Sequence, residues 1–182
     1  MKSAYVFLAE GFEDVEAITP IDYLRRAGLR VVVVGVTGKK VKSGHELTVE
    51  ADATVEEVLL LPLPDLVVLP GGGQGSKHLS ESLGVRTIVE GMMHAGKLVG
   101  AICAAPAVVL GGWSLLVGRK WTCYPGSGDS LRPAPLEDRV VVDGNLITSR
   151  AAGTAEEFAL VLVAHTAGES IANKLRIGLL AR

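Results

Sequence analysis

Cysteine is scarce in this chain of 182 residues, with only Cys103 and Cys123. Two thiols cannot build a disulfide framework, and their spacing matches no zinc-binding pattern. Long hydrophobic runs are missing as well. The apolar stretches last a few residues before Gly, Pro or a charge breaks them, far short of the roughly 20 residues a membrane span needs. No basic run stands out, because 18 Lys and Arg stand against 20 Asp and Glu for a net charge of −2. Duplex nucleic-acid binding, which relies on clustered cations, is thereby disfavoured. The histidines His45, His78, His94 and His165 show no paired spacing for a metal, so no metal site is expected and each reads as a surface or packing residue. Repeats, low-complexity segments and linkers are absent too. The first ten residues start like a signal peptide. They turn acidic at Glu10 and carry no cleavage site, so they read as a buried first strand. The expected compartment is the cytoplasm, where a free thiol stays reduced.

What is present fits a packed globular chain. Hydrophobic residues make up 48% and charged ones 21%, which excludes intrinsic disorder. At about 150 residues per domain, one domain spanning residues 1–182 is expected. Residues 4–8, 31–36, 65–69, 98–102 and 140–142 read as strands that are apolar on both faces, as in a parallel sheet covered on both sides. Helices are expected over 14–27, 85–94, 104–110 and 154–166. The first ends in Arg25, Arg26 and Gly28, a good C-terminal signal, and Pro20 should kink it or break its first turn. Thr154 and Glu157 have the spacing of a capping box. Residues 39–50 suggest a small hairpin at the sheet edge, and 113–138 suggest loops with a short strand near 120–123. Alternation of strands and helices predicts a doubly wound α/β fold with a mostly parallel central sheet.

In such a sheet, ligands bind beyond the C-terminal strand ends. Three of those ends carry unusual residues. The strand over 98–102 runs directly into Cys103-Ala-Ala-Pro106, a junction like a nucleophile elbow. Small neighbours (Gly100, Ala101, Ala104, Ala105) suit the crowding there. A helix N-terminus aimed at the sulfur would favour the thiolate. The alternative is a buried structural cysteine, and spacing alone does not separate the two. Gly71-Gly72-Gly73 lets backbone approach a reacting centre and, with the Ala104 N–H, would form an oxyanion hole. A phosphate-cradling or dinucleotide loop would need spacings that this run lacks. The acids Glu10, Glu13, Asp14 and Glu16 follow the first strand. Acids there usually complement the helix dipole, whereas one turned into an apolar pocket would have a raised pKa and could move a proton. The pattern leaves open which one that is. Cys123 reads as a small packing residue.

At these same residues the chain resembles the DJ-1/ThiJ/PfpI superfamily, and within it the DJ-1/YajL branch, over essentially its full length. The resemblance rests on Phe7-Leu-Ala-Glu-Gly-Phe-Glu-Asp-Val-Glu16, Arg25-Arg-Ala-Gly28, Val67-Val-Leu-Pro-Gly-Gly72, Leu79-Ser-Glu-Ser82, Ala101-Ile-Cys-Ala-Ala-Pro106, Thr148-Ser-Arg150, Gly153-Thr154 and Glu157-Phe-Ala-Leu160. It implies a flavodoxin-like three-layer sandwich and a homodimer. It places Cys103 on the family's reactive, readily oxidised cysteine and Glu16 on its protonated glutamate. Gly72 and Ala104 fall on the backbone positions around the sulfur. Arg26 matches a position near the dimer interface, and Arg150 one close to the site.

Two departures narrow this reading. Tyr124-Pro125 stands where the DJ-1 pattern has His before Pro, and Ala104 rather than His follows Cys103, so a Cys–His dyad and peptide hydrolysis are unsupported. Ser43, His45 and Glu50 replace Cys, Arg and Cys, so no redox role of those cysteines transfers. The resemblance then implies cysteine-dependent, cofactor-independent detoxification or repair of reactive α-oxoaldehydes, glyoxalase- or deglycase-like. The substrate would be a small aldehyde or a glycated protein. The rival from another class is a redox sensor or oxidative-stress chaperone acting through oxidation of Cys103.

Overall fold

Val, Ile and Leu fill both faces of the central strands, and helices cover both faces. The computed structural model describes residues 1–181. In chain order the strands are β1 (Ser3–Leu8), β2 (Arg30–Gly35), β3 (Lys40–Lys42), β4 (Thr48–Glu50), β5 (Ala53–Thr54), β6 (Leu66–Leu69), β7 (Leu98–Ile102), β8 (Val140–Asp143) and β9 (Leu146–Ser149). Seven of them form one sheet in the order β5-β2-β1-β6-β7-β9-β8. All its pairs are parallel except β8 with β9. The helices are α1 (Asp14–Arg26), α2 (Val55–Leu59), α3 (Gly73–Glu81), α4 (Leu83–His94), α5 (Ala155–Ala167) and α6 (Glu169–Gly178).

One core layer joins a sheet face to Ala17, Ile21 and Leu24 of α1, Phe158 and Leu162 of α5 and Ala172 of α6. The opposite layer takes Val58 of α2, Leu79 of α3 and Ile88 and Met92 of α4, with Trp121. The result is the expected three-layer α/β arrangement. Strand order reverses at β1, since β2 lies on one side and β6 on the other. The loops after β1, β6 and β7 therefore meet at one rim of the sheet, where a switch point opens a crevice.

Several local expectations need correction. α1 runs unbroken through Pro20. It closes as a Schellman turn, with Gly28 at φ 83° and its N–H donating to Arg25 O, and Leu29 N–H donating to Leu24 O. Thr154 does not form a capping box with Glu157. Its hydroxyl instead meets Ser149 Oγ at 2.7 Å and accepts the Ala151 N–H at 3.1 Å. The helix expected over 104–110 is present from Ala105, but it pairs as a π-helix over Pro106–Gly111. The strand near residue 122 shrinks to a single bridge between Thr122 and Leu136. β3 and β4 do form a hairpin, but as a separate two-stranded sheet. It is tied to the loop after β1 by Gly11 N–H donating to Lys42 O and Gly44 N–H to Phe12 O, both at 2.8 Å. β5, β9, α2, α3 and α6 add to the elements read from the sequence. Among the described residues, no helix is long and apolar enough to cross a membrane.

Candidate functional site

Cys103 sits at the end of β7 with φ 65°, a left-handed conformation that costs a non-glycine residue about 1–3 kcal/mol. Two hydrogen bonds hold it there. Its N–H donates to Ser149 O at 3.0 Å, and its carbonyl accepts the Tyr124 N–H at 2.8 Å. The strained turn lifts the side chain off the strand, where it is half-buried. The N–H groups of Gly72 and Ala104 both hydrogen-bond the sulfur. Cys103, Gly72 and Ala104 are thus brought together from the loop after β6 and the turn after β7.

Glu16, on the first turn of α1, completes the group. It is fully buried. Its Oε2 accepts the Gly71 N–H at 2.9 Å, while Oε1 is buried without a well-formed hydrogen bond. The polar neighbour of this carboxyl is the Cys103 thiol. Burial pushes Glu16 up to about 7, against the hydrogen bonds from Cys103 and Gly71 that pull it down. Gly71 has no room for a side chain, because a Cβ there would overlap the Glu16 carboxyl and approach the Cys103 Cβ to 2.5 Å. Pro20 adds a local detail: it has no N–H for the Glu16 carbonyl, which a regular helix would supply.

The expectation of a depressed thiol pKa is reversed. Burial, then the Glu16 charge, push Cys103 up to about 12, while the Gly72 and Ala104 N–H groups pull it down. The helical segment expected after the cysteine is there, but the N–H it offers the sulfur through Ala104 is outweighed by burial and the Glu16 charge. The sulfur therefore depends on its carboxyl neighbour. Protonating Glu16 removes the Coulombic push and leaves burial opposed by two N–H donors.

The other acids do not simply complement the helix dipole. Glu10 Oε2 accepts the Lys42 N–H at 3.1 Å, tying down the hairpin. Glu13 stands at the N-cap without a side-chain capping bond. Asp14 Oδ2 lies 2.8 Å from His45 Nδ1, and Glu13 Oε2 lies 3.7 Å from it. Sequence reasoning missed this grouping, since 31 residues separate Asp14 from His45 and only the seating of the hairpin joins them. Ser43 is buried beneath it, and Glu50 lies on the exposed edge of β4. Arg150 donates to Glu137 O at 2.8 Å and, with Tyr124, lines an open cavity of about 360 Å³ that also includes Cys123 and Arg132. Arg26 pairs with Asp22 on the surface of α1 at 2.7 Å. Cys123 is buried, and burial pushes its thiol up to about 11.

Residues 2–165 match the DJ-1/PfpI family. The chain belongs to the DJ-1/PfpI family. Parkinson disease protein 7 homolog of Danio rerio is 36% identical over 100% of this chain and 98% of its own length. Protein dj-1beta of Drosophila melanogaster is 40% identical over 98% and 97%. A relative from Caenorhabditis elegans, named glutathione-independent glyoxalase DJR-1.2, is 33% identical over 96% and 94%. Among solved structures, an oxidized DJ-1 from Toxoplasma gondii superposes with a TM-score of 0.95 at 34% identity, covering 99% of this chain and 98% of that one. A cysteine-to-alanine mutant of a DJ-1 superfamily protein from Salmonella typhimurium gives 0.96 at 36% identity, covering both chains fully. Glu16, Gly72, Cys103 and Ala104 all lie inside the matched residues.

Proposed function

We propose that this DJ-1/PfpI family member converts small α-oxoaldehydes such as methylglyoxal to hydroxy acids, with Cys103 as nucleophile and no cofactor. The observation that carries the reading is the buried carboxyl of Glu16 beside a strained, half-buried thiol that two backbone N–H groups face. The Caenorhabditis relative named a glutathione-independent glyoxalase supports the substrate class.

In this scheme the Cys103 sulfur adds to the aldehyde carbon and forms a hemithioacetal. The thiol proton passes by way of Glu16 to the new oxygen, which the Gly72 and Ala104 N–H groups stabilise as it becomes negative. Glu16 then takes the hydrogen of the former aldehyde carbon as a proton and returns it to the adjacent carbonyl carbon, while the hydroxyl proton passes to the neighbouring oxygen, leaving a lactoyl thioester. Water cleaves the thioester, releases lactate and restores the thiol. The sum is methylglyoxal plus water giving lactate, with no net oxidation. A group poised near neutrality suits a proton that must be both taken and given back. Action on glycated proteins would use the same thiol and carboxyl.

Proton NMR of methylglyoxal incubated with reduced protein tests the reading. Lactate is expected from the wild type and none from Cys103→Ser. Glu16→Gln should slow turnover by about 100-fold or more. Lactate formed at an equal rate by the serine variant would overturn the assignment.

A second reading, oxidation-dependent signalling or chaperoning, has its own support: a half-exposed thiol beside a carboxyl and two N–H groups suits a stabilised sulfinate. An oxidized relative has been solved. Mild peroxide should then add two oxygens to Cys103 and leave buried Cys123 reduced, as read by mass spectrometry. Equal oxidation of both would count against it.

A further inference from the structure

We propose that Glu13, Asp14 and His45 form a binding site for one divalent transition-metal ion of the zinc class, separate from Cys103. The three side chains offer one imidazole nitrogen and two carboxylate oxygens, all within 4.8 Å of one another. That mixed donor set suits Zn²⁺ and its neighbours, whereas Ca²⁺ and Mg²⁺ favour oxygen alone. Zinc bonds of about 2.0–2.1 Å place neighbouring tetrahedral ligands about 3.3 Å apart. The His45 Nδ1 distances, 2.8 Å to Asp14 Oδ2 and 3.7 Å to Glu13 Oε2, fall on either side of that value. A small rotation of the exposed His45 side chain bridges the difference.

Two further observations separate this cluster from an ordinary surface ion pair. Asp14 Oδ1, the oxygen not turned to His45, is shut off from solvent and makes no well-formed hydrogen bond. Glu13 stands at the N-cap of α1, yet its carboxylate makes no capping bond and turns to His45 instead.

The scaffold holds the donors without help from an ion. Gly44 N–H donates to Phe12 O at 2.8 Å, seating the hairpin turn on the segment that carries Glu13 and Asp14. Ser43 Oγ accepts the N–H groups of His45 and Leu47 at 3.2 and 3.1 Å. The Ser43 hydroxyl also bonds Asp14, a partner that orients a ligand from behind. His45 is 68% exposed, so an ion reaches the site directly from solvent. It would replace the proton between imidazole and carboxylate, and water would fill the remaining positions.

Zinc competition with a chromophoric chelator tests this in a Cys103→Ser background, which removes the accessible thiol. One zinc per chain is expected there. His45→Ala and Asp14→Asn should each weaken binding by at least about tenfold, with folding checked by circular dichroism. Zinc should raise the melting temperature of the parent and leave that of His45→Ala unchanged. Binding that disappears on loss of Cys103, or that persists undiminished without His45, would overturn the site. So would an equal affinity for Ca²⁺. None of these readouts depends on turnover at Cys103, so failure here is distinguishable from failure of the enzymatic reading.

Discussion

Glu16 shows how much one residue's surroundings change its chemistry. Its carboxyl rises from 4.5 to about 7 because burial penalises the charge. The folded protein therefore binds a proton that the unfolded chain has already released between those values. This group's penalty is absent below about 4.5, grows as pH rises through the interval, and reaches about 3 kcal/mol above about 7. Glu16→Gln has no such titration. Urea denaturation on either side of the window should show the wild type losing stability relative to the variant as pH rises. Gly71 makes a second prediction at this scale. Alanine there forces a Cβ against Glu16 and Cys103, so Gly71→Ala should cost about 1–3 kcal/mol and displace the carboxyl from the thiol. Chemical denaturation and the reactivity of Cys103 toward an alkylating reagent would report the two effects.

Elements follow packing more closely than motif. The spacing of Thr154 and Glu157 suggests a capping box, but the Thr154 hydroxyl is spent on Ser149 and Ala151, and Glu157 pairs with Arg139 at 2.8 Å on the surface. A true box would make the two residues comparably important. In this fold Thr154→Ala should cost about 1–3 kcal/mol by stripping buried hydrogen bonds. Glu157→Ala should cost under about 1 kcal/mol, as an exposed pair does. Thermal melts of both variants separate the two accounts. α5 itself was legible, because Phe158, Leu162 and Val163 make it apolar on nearly every side. α2, α3 and α6 were not. α2 has only five residues, α3 begins with the glycines that suggested a loop, and α6 follows Gly168 with a mostly polar face. β9 was hidden for a different reason: its four residues follow β8 through a tight Asn-containing turn.

For the whole molecule, the open question is how copies associate. Much of the apolar surface of α1 is used inside the fold, because Ile21 and Tyr23 are buried, with Tyr23 donating to Glu156 of α5 at 2.9 Å. What remains outward on α1 is Val15, 47% exposed, and Ile18, 42% exposed. We propose a homodimer through this face. Light scattering should give a dimer for the wild type and a monomer for Ile18→Glu. A monomeric wild type would reject the proposal.

The sequence by itself determined the layer architecture and the chemical cast. Doubly apolar strands can be buried only in a parallel sheet covered by helices, and a cysteine between such a strand and small residues stands at its rim. Residue pattern left four acids equal. Tertiary structure decided among them, because α1 turns only Glu16 fully inward and packs it against Gly71 and Cys103. It also decided the direction of the thiol's pKa, which burial and a neighbouring charge set more strongly than any local turn. The meeting of Glu13 and Asp14 with His45 belongs to tertiary structure as well. No periodicity connects them, and only the hydrogen bonds that lay the hairpin on the β1 loop bring them together.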